Sequence, residues 1–306
     1  MMHRCIHKAE DVTVSPSRRQ LLAGALFAVP ALTWHPEKAR AQRDQASAER
    51  RLHELESAHG GRLGVAILDL SSGALAGNRL NERFLLCSTF KTLLVAFILD
   101  RVDRGDEKLD RRIAFSKSDL VDWSPVTETR AGSGMTVAEL CEATVTLSDN
   151  TAANLLLASF GGPPELTNYL RGLGDQVTRL DRIEPALNQH DGPGDLRDTT
   201  TPAAMVETLR TLFASDALSP RSRSQLAAWH ITNKTGDERL RAGFPKHWLV
   251  GDKTGTNGSG NANDVAIAWP PDRGMVIVGA YCEMPSLSAK ARDAVLAEAG
   301  RIAASL

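Results

Sequence analysis

Apolar positions recur at two different periods along this chain, and the change of period marks out its elements. In "ASAERRLHELESAH" (46–59) Leu52 and Leu55 stand among charged residues, which predicts an amphipathic helix over 46–59 ended by Gly60-Gly61. "RLGVAILDL" is rich in β-branched and apolar residues, "SSG" turns the chain, and "ALAGNRL" follows, so the pattern predicts a hairpin. The middle of the chain is mostly helical. In "STFKTLLVAFILDRV" Leu94, Phe97, Ile98 and Arg101 recur at helical spacing, while Thr201-Pro202 and Ser219-Pro220 each place a capping residue before a proline suited to the first helical position. No helical stripe runs between Arg179 and Thr201, and Gly192, Pro193 and Gly194 mark a long surface loop there; a structureless loop of that length in a compact domain is usually functional. Strands return in "HWLVGDKTGT", "NDVAIAW" and "GMVIVGAYCE", with "PPDRG" turning between the last two, and "SLSAKARDAVLAEAGRIAASL" closes as an alanine-rich helix. Strands at both ends with helices between them exclude simple βαβ winding. The expected fold is α/β of the α+β type: one antiparallel sheet of about five strands formed by both chain ends, helices on both faces, and an all-helical lobe in one cooperative unit.

The first forty residues are of another kind. Arg18 and Arg19 precede an apolar run from Leu21 that Pro30 interrupts, too short for a membrane span of about 20 residues. Ala39-Arg40-Ala41 offers a small-x-small cleavage site, so residues 1–41 are read as a signal peptide cut after Ala41 and residues 42–306 as the mature domain. The S-R-R-x-L-L string resembles a twin-arginine signal; an ordinary secretory leader with two incidental arginines is the other reading. Either one predicts a periplasmic or secreted bacterial protein with no stable membrane anchor.

Composition narrows the chemistry. With 36 Lys+Arg against 37 Asp+Glu the formal charge is −1, which argues against nucleic acid as a partner, and 42% hydrophobic with 24% charged residues is ordinary globular usage. Four cysteines with no C-x-x-C pair give neither a zinc framework nor a disulfide scaffold, and loss of the leader leaves Cys87, Cys141 and Cys282, an odd number. The histidines show no H-x-H or H-E-x-x-H spacing, and G-x-S-x-G, G-x-G-x-x-G and the P-loop are all missing, so neither metal nor cofactor is expected.

Ser88-Thr89-Phe90-Lys91 opens a helix, so Lys91 projects from the same face as Ser88 and its amine can reach the hydroxyl, while the helix dipole favours developing negative charge there. Alone, Ser88 reads equally as an N-cap. Ser148-Asp149-Asn150 lies at a polar break between two apolar helices, where a capping turn is the plain alternative. Lys-Thr-Gly occurs twice. Lys234-Thr235-Gly236 follows a helix and reads as a surface loop, whereas Lys253-Thr254-Gly255 continues an apolar strand whose edge can line a cleft, the glycine letting a ligand approach the main chain.

Ser-x-x-Lys, Ser-Asp-Asn and Lys-Thr-Gly in that order resemble the penicillin-recognising serine enzymes, and Glu184-Pro185-Ala186-Leu187-Asn188 in the long loop resembles the E-x-x-L-N signature of their class A β-lactamase branch. Arg182 and Arg197-Asp198-Thr199 resemble the ends of that branch's Ω-loop, with Arg182 and Asp198 expected to pair. The resemblance implies hydrolysis of the β-lactam amide through a Ser88 acyl-enzyme, with Lys91 or Glu184 as first base, Ser148 as proton relay and Glu184 activating the deacylating water. It implies further that Lys253, Thr254, Gly255 and Thr256 meet the substrate carboxylate, that Arg239 adds charge there, that Asn150 meets the acylamino group, and that Asn188 supports Glu184. Trp123 is read either as a wall at the cleft mouth or as a tryptophan packed on its loop. Asp149 is read as bracing, and Asn257 stands where some members carry a cysteine that bridges to the position of Cys87, so Cys87 is expected to be unpaired. The expected partners are small β-lactams, and the expected state a monomer. A penicillin-binding peptidase or a β-lactam sensor, acylated without efficient turnover, shares the trio and remains the alternative.

Overall fold

The computed structural model describes residues 36–306 apart from residue 193, so the leader's arginines and apolar run, and Pro193, lie outside the described residues. In chain order come helix α1 (Pro36–His59), the hairpin β1 (Arg62–Asp69) and β2 (Leu75–Asn78), the short β3 (Phe84–Leu85), α2 (Phe90–Asp103), β4 (Arg112–Ile113), β5 (Met135–Thr136), α3 (Val137–Thr146), α4 (Asn150–Ala158) and α5 (Pro163–Gly172). Then follow β6 (Thr199–Thr200), α6 (Pro202–Ala214), α7 (Pro220–Ile231), α8 (Leu240–Gly243), β7 (Leu249–Thr256), β8 (Asn261–Trp269), β9 (Val276–Glu283) and α9 (Ala289–Ala304). Residues from both chain ends build one antiparallel five-stranded sheet in the order β2-β1-β9-β8-β7, as expected.

Period-two alternation explains why this sheet is covered on both faces. Val65, Ile67, Ala266, Val278 and Ala280 point into a core shared with α1, α8 and α9, while Ala66, Leu68, Val265, Ile267, Ile277 and Tyr281 point into the larger core under α2 to α7. Helix α2 is buried on every side from Phe90 to Leu99, which makes it the axis of the helical lobe rather than an amphipathic surface helix. Thr201 and Ser219 cap α6 and α7 through the backbone N–H of Ala204 and Ser222, with proline next in each case. Gly60 and Gly61, both at positive φ, end α1. That helix starts at Pro36, ten residues before the expected Ala46. Its extra turns are rich in Ala, Gln, Arg and Glu, good helix formers that need no core contact, which is why no apolar stripe announced them. Ala41 therefore lies within α1.

Candidate active site

Four segments meet around Ser88 and Lys91: the turn into α2, the α3–α4 junction, the 179–200 loop and the end of β7. Cys87 takes φ +44°, a left-handed conformation that costs a non-glycine residue energy, and a short 3-10 turn (Cys87–Thr89) runs on into α2. No side chain caps the turn, so Ser88 is not spent as an N-cap. Its hydroxyl donates to Glu184 Oε1 at 3.2 Å.

Lys91 is fully buried, and a buried ammonium needs acceptors for its protons. It finds the Ser148 carbonyl (2.8 Å), Asn150 Oδ1 (2.6 Å), Ser148 Oγ (3.3 Å) and Glu184 Oε1 (3.2 Å). The direct amine-to-hydroxyl contact expected between Lys91 and Ser88 is replaced by this arrangement, in which one carboxylate oxygen serves both. Burial lowers the Lys91 pKa, with Glu184 pulling the other way.

At the α3–α4 junction the capping and functional readings both hold, on adjacent residues. Asp149 caps α4 through the Ala152 N–H and also accepts from Val126 N–H, Thr127 N–H and Thr127 Oγ1, a bracing role. Ser148, at φ +59°, and Asn150 turn instead toward Lys91. Asn150 Nδ2 donates to the Asp122 carbonyl. Trp123 is 65% exposed at φ +63°, its indole N–H on the Leu147 carbonyl and its own carbonyl on the Asn150 N–H, which holds it beside the Ser148 turn.

The long loop is closed at its neck by Arg182 Nε on Asp198 Oδ2 at 2.6 Å, the pairing expected. Asn154, one helical turn beyond Asn150 on α4, grips the backbone of Glu184 twice: its Oδ1 accepts the Glu184 N–H at 3.0 Å and its Nδ2 donates to the Glu184 carbonyl at 2.9 Å. Asn188 Nδ2 donates to Glu184 Oε2 at 2.6 Å, and Asn188 Oδ1 is buried with no partner. An acceptor left open beside a carboxylate is a place for a water hydrogen.

On β7, Lys253 is fully buried and donates to Ser148 Oγ at 3.1 Å and to the Thr254 carbonyl at 2.8 Å. Burial, with the Lys91 cation adding to it, pushes its pKa down to about 7. Thr256 is exposed at the strand end, its hydroxyl accepting from Arg239 Nη2 at 2.8 Å. The other donors of Arg239, expected to add charge near the substrate carboxylate, go to Asp293 and to the carbonyls of Gly255 and Asn263. At Gly255 a Cβ would meet the Leu86 carbonyl oxygen at 2.9 Å, Cys87 Cβ at 3.0 Å and Ser88 N at 3.1 Å, so on that side the glycine lies against the turn that carries Ser88.

The chain is similar to known proteins over most of its length. The sequence profile described as the beta-lactamase enzyme family matches residues 47–305. Over 250 residues the chain is 49% identical to beta-lactamase L2 of Stenotrophomonas maltophilia, covering 81% of this chain and 82% of the relative, and over 252 residues it is 45% identical to beta-lactamase OXY-2 of Klebsiella oxytoca, covering 82% and 87%. The solved structure of an ancestral class A beta-lactamase superposes with a TM-score of 0.82 at 61% identity, covering 83% of this chain and 98% of that one. The chain belongs to the class A β-lactamases.

In this class A β-lactamase the sequence located the four converging segments but passed over several residues that hold them. The first Lys-Thr-Gly copy is not merely a surface loop: Lys234 is exposed, but Thr235 Oγ1 lies 2.6 Å from Thr254 Oγ1, and Gly236 packs against the Asp252 carboxylate, where a Cβ would collide. Topology brings α7's end against β7, which a motif read in isolation does not show. Asn233, Asn154 and Asn263 gave no signal beyond their composition. Cys87, Cys141 and Cys282 are free and buried, and Asn257 instead donates to the Asn188 carbonyl at 3.1 Å.

Proposed function

We propose that this chain hydrolyses the β-lactam amide of penicillins and cephalosporins through a Ser88 acyl-enzyme, giving resistance to those antibiotics. One observation carries the reading: Glu184, 2% exposed, is turned inward so that a single oxygen lies 3.2 Å from both the Ser88 hydroxyl and the Lys91 amine. The Ser88 proton passes to the Lys91–Glu184 pair, which shares one oxygen: Glu184 contacts the hydroxyl, and Lys91 serves as base where Glu184 is replaced. The alkoxide adds to the lactam carbonyl, and the N–H groups of Ser88 and Thr256 hold the oxyanion. The C–N bond then breaks, and Ser148 delivers its proton to the departing nitrogen while Lys91, bonded to its oxygen, resupplies one from the Lys91–Glu184 pair, so the proton taken from Ser88 ends on that nitrogen and Glu184 is again a carboxylate. Water held between Glu184 and the open Asn188 Oδ1 gives its proton to Glu184 and attacks the ester carbonyl; as the bond from that carbon to the Ser88 oxygen breaks, Glu184 passes the proton to the Ser88 oxygen, and both residues return to their starting states.

Lys253, Thr254 and Thr256 receive the substrate carboxylate, and Asn150 and Trp123 border its side chain. Export to the periplasm or medium after cleavage at Ala41, action as a monomer and the Ω-loop character of residues 179–200 belong to the same proposal. Among the described residues no helix is long and apolar enough to cross a membrane. A sensor or peptidase that stays acylated has no use for a buried carboxylate and amide beside its nucleophile. The test is Glu184→Gln incubated with a penicillin and read by intact-protein mass. The expected result is a lasting adduct on Ser88 with turnover reduced about 10²- to 10⁴-fold; rapid loss of the adduct refutes the assignment.

A further inference from the structure

The two oxyanion donors belong to different elements, which raises the question of what sets their spacing. Ser88 N–H sits in the turn after β3, and β3 pairs with β6 outside the five-stranded sheet, whereas Thr256 N–H sits at the end of β7 inside that sheet. In the β7–β8 register Gly255 lies directly opposite Asn263, so both point to the same face, and that face meets the nucleophile's turn. Because Gly255 has no side chain, the turn lies against the strand, and the Asn263 amide spans the junction. Asn263 is 1% exposed, and its Nδ2 donates to the Leu85 carbonyl at 2.8 Å and the Leu86 carbonyl at 3.3 Å, three and two residues before Ser88. From the other side Arg239 Nη1 bonds the carbonyls of both Gly255 (3.0 Å) and Asn263 (2.8 Å), so the anchor is itself anchored.

We propose that Asn263 is a positioning residue for the oxyanion hole, its amide fixing the segment that carries Ser88 N–H at the distance from Thr256 N–H that one oxygen needs. Two donors can share an anion only when both lie within hydrogen-bond range of one point, so a shift of the turn along β7 weakens the pair without removing either donor. The inference rests on the acyl-enzyme reading above.

The test replaces Asn263 by Ala and, separately, by Leu, which fills the space without donors, each also combined with Glu184→Gln so that a penicilloyl ester accumulates. Isotope-edited infrared difference spectra report the ester carbonyl stretch, which falls as hydrogen bonds to that oxygen strengthen. Expected are a stretch at higher wavenumber than in the Asn263 parent, kcat/KM lowered about 10- to 100-fold in enzyme retaining Glu184, and weaker binding of a boronic acid transition-state analogue by a similar factor. A purely structural role lowers the melting temperature and leaves the carbonyl band in place. An unshifted band, or kcat/KM within twofold of the parent, in either folded variant overturns the proposal. If the Asn263 parent itself forms no Ser88 adduct, the acyl-enzyme reading fails and takes this inference with it.

Discussion

Arg182→Ala tests how the loop that carries Glu184 is held. Asp198 is fully buried, and its carboxylate accepts from Arg182 Nε at 2.6 Å and from the backbone N–H groups of Asp181 and Arg182 at 2.7 and 2.9 Å. Removing one partner of a buried pair costs about 3–5 kcal/mol because the other charge is left uncompensated. Here the two backbone donors remain, and the Arg182 side chain is 19% exposed, so water can enter the vacated place and the cost drops to about 2–3 kcal/mol. For a domain of this size that is a fall in melting temperature of roughly 4–12 °C. Arg182 Nη2 also donates to the Gln189 carbonyl, next to Asn188, so the variant loosens the residue that supports Glu184. Deacylation then slows more than acylation, and kcat and KM fall together, with a burst of product from a chromogenic cephalosporin before the slow phase. Adding Asp198→Asn removes the stranded charge and should recover part of the stability. A melting temperature within 1 °C of the parent, or a double variant less stable than the single one, refutes the reasoning.

Gly255→Ala should lower kcat at least tenfold, because the added Cβ presses on Leu86, Cys87 and Ser88 backbone or near-backbone atoms that have no flexible end to move; steady-state rates equal to the parent's contradict the close packing of turn on strand. His230, fully buried, is fixed as the neutral tautomer whose Nδ1 donates to the Leu226 carbonyl and whose Nε2 accepts from Thr92 Oγ1. Burial lowers its pKa from 6.5 to about 4, so its roughly 3 kcal/mol contribution is complete above pH 6.5 and is lost as the pH falls through about 4. Denaturant titrations between pH 7 and 4 should therefore lose less stability in His230→Gln than in the parent, and equal slopes contradict the assignment.

Periodicity made the sheet, its two buried faces and the capped starts of α6 and α7 legible, because those features depend on neighbours in sequence. The short β3 to β6 strands and the packing of α7's end on β7 depend on partners far along the chain, and two-residue strands carry no period to detect. The site divides along the same line. Ser88 and Lys91 stood out because a hydroxyl and an amine lie three residues apart at the start of a helix, whereas Ser148 and Glu184 stood out only through the resemblance of Ser-Asp-Asn and E-x-x-L-N to the class A pattern. What holds them is largely asparagine: Asn154 on the Glu184 backbone, Asn188 on its carboxylate, Asn233 on Asp252 and Asn263 on the carbonyls before Ser88. An amide that satisfies a distant backbone group leaves no pattern in its own neighbourhood, so only the assembled topology reveals it.

Gly255 shows how motif and scaffold meet in one residue. The sequence picked it out as a place of close main-chain approach, and on one side it lies against the turn that holds Ser88, which the motif could not name. The absent side chain that lets this turn lie on β7 also leaves room for the Asn263 amide to cross the same junction, and Arg239 locks both strands from behind. Shared packing of this kind couples the strand expected to grip the substrate carboxylate to the turn that carries the nucleophile. A substitution at any one of the three should therefore alter chemistry and binding together, and double-mutant cycles between Asn263 and Arg239 should show non-additive losses in kcat/KM.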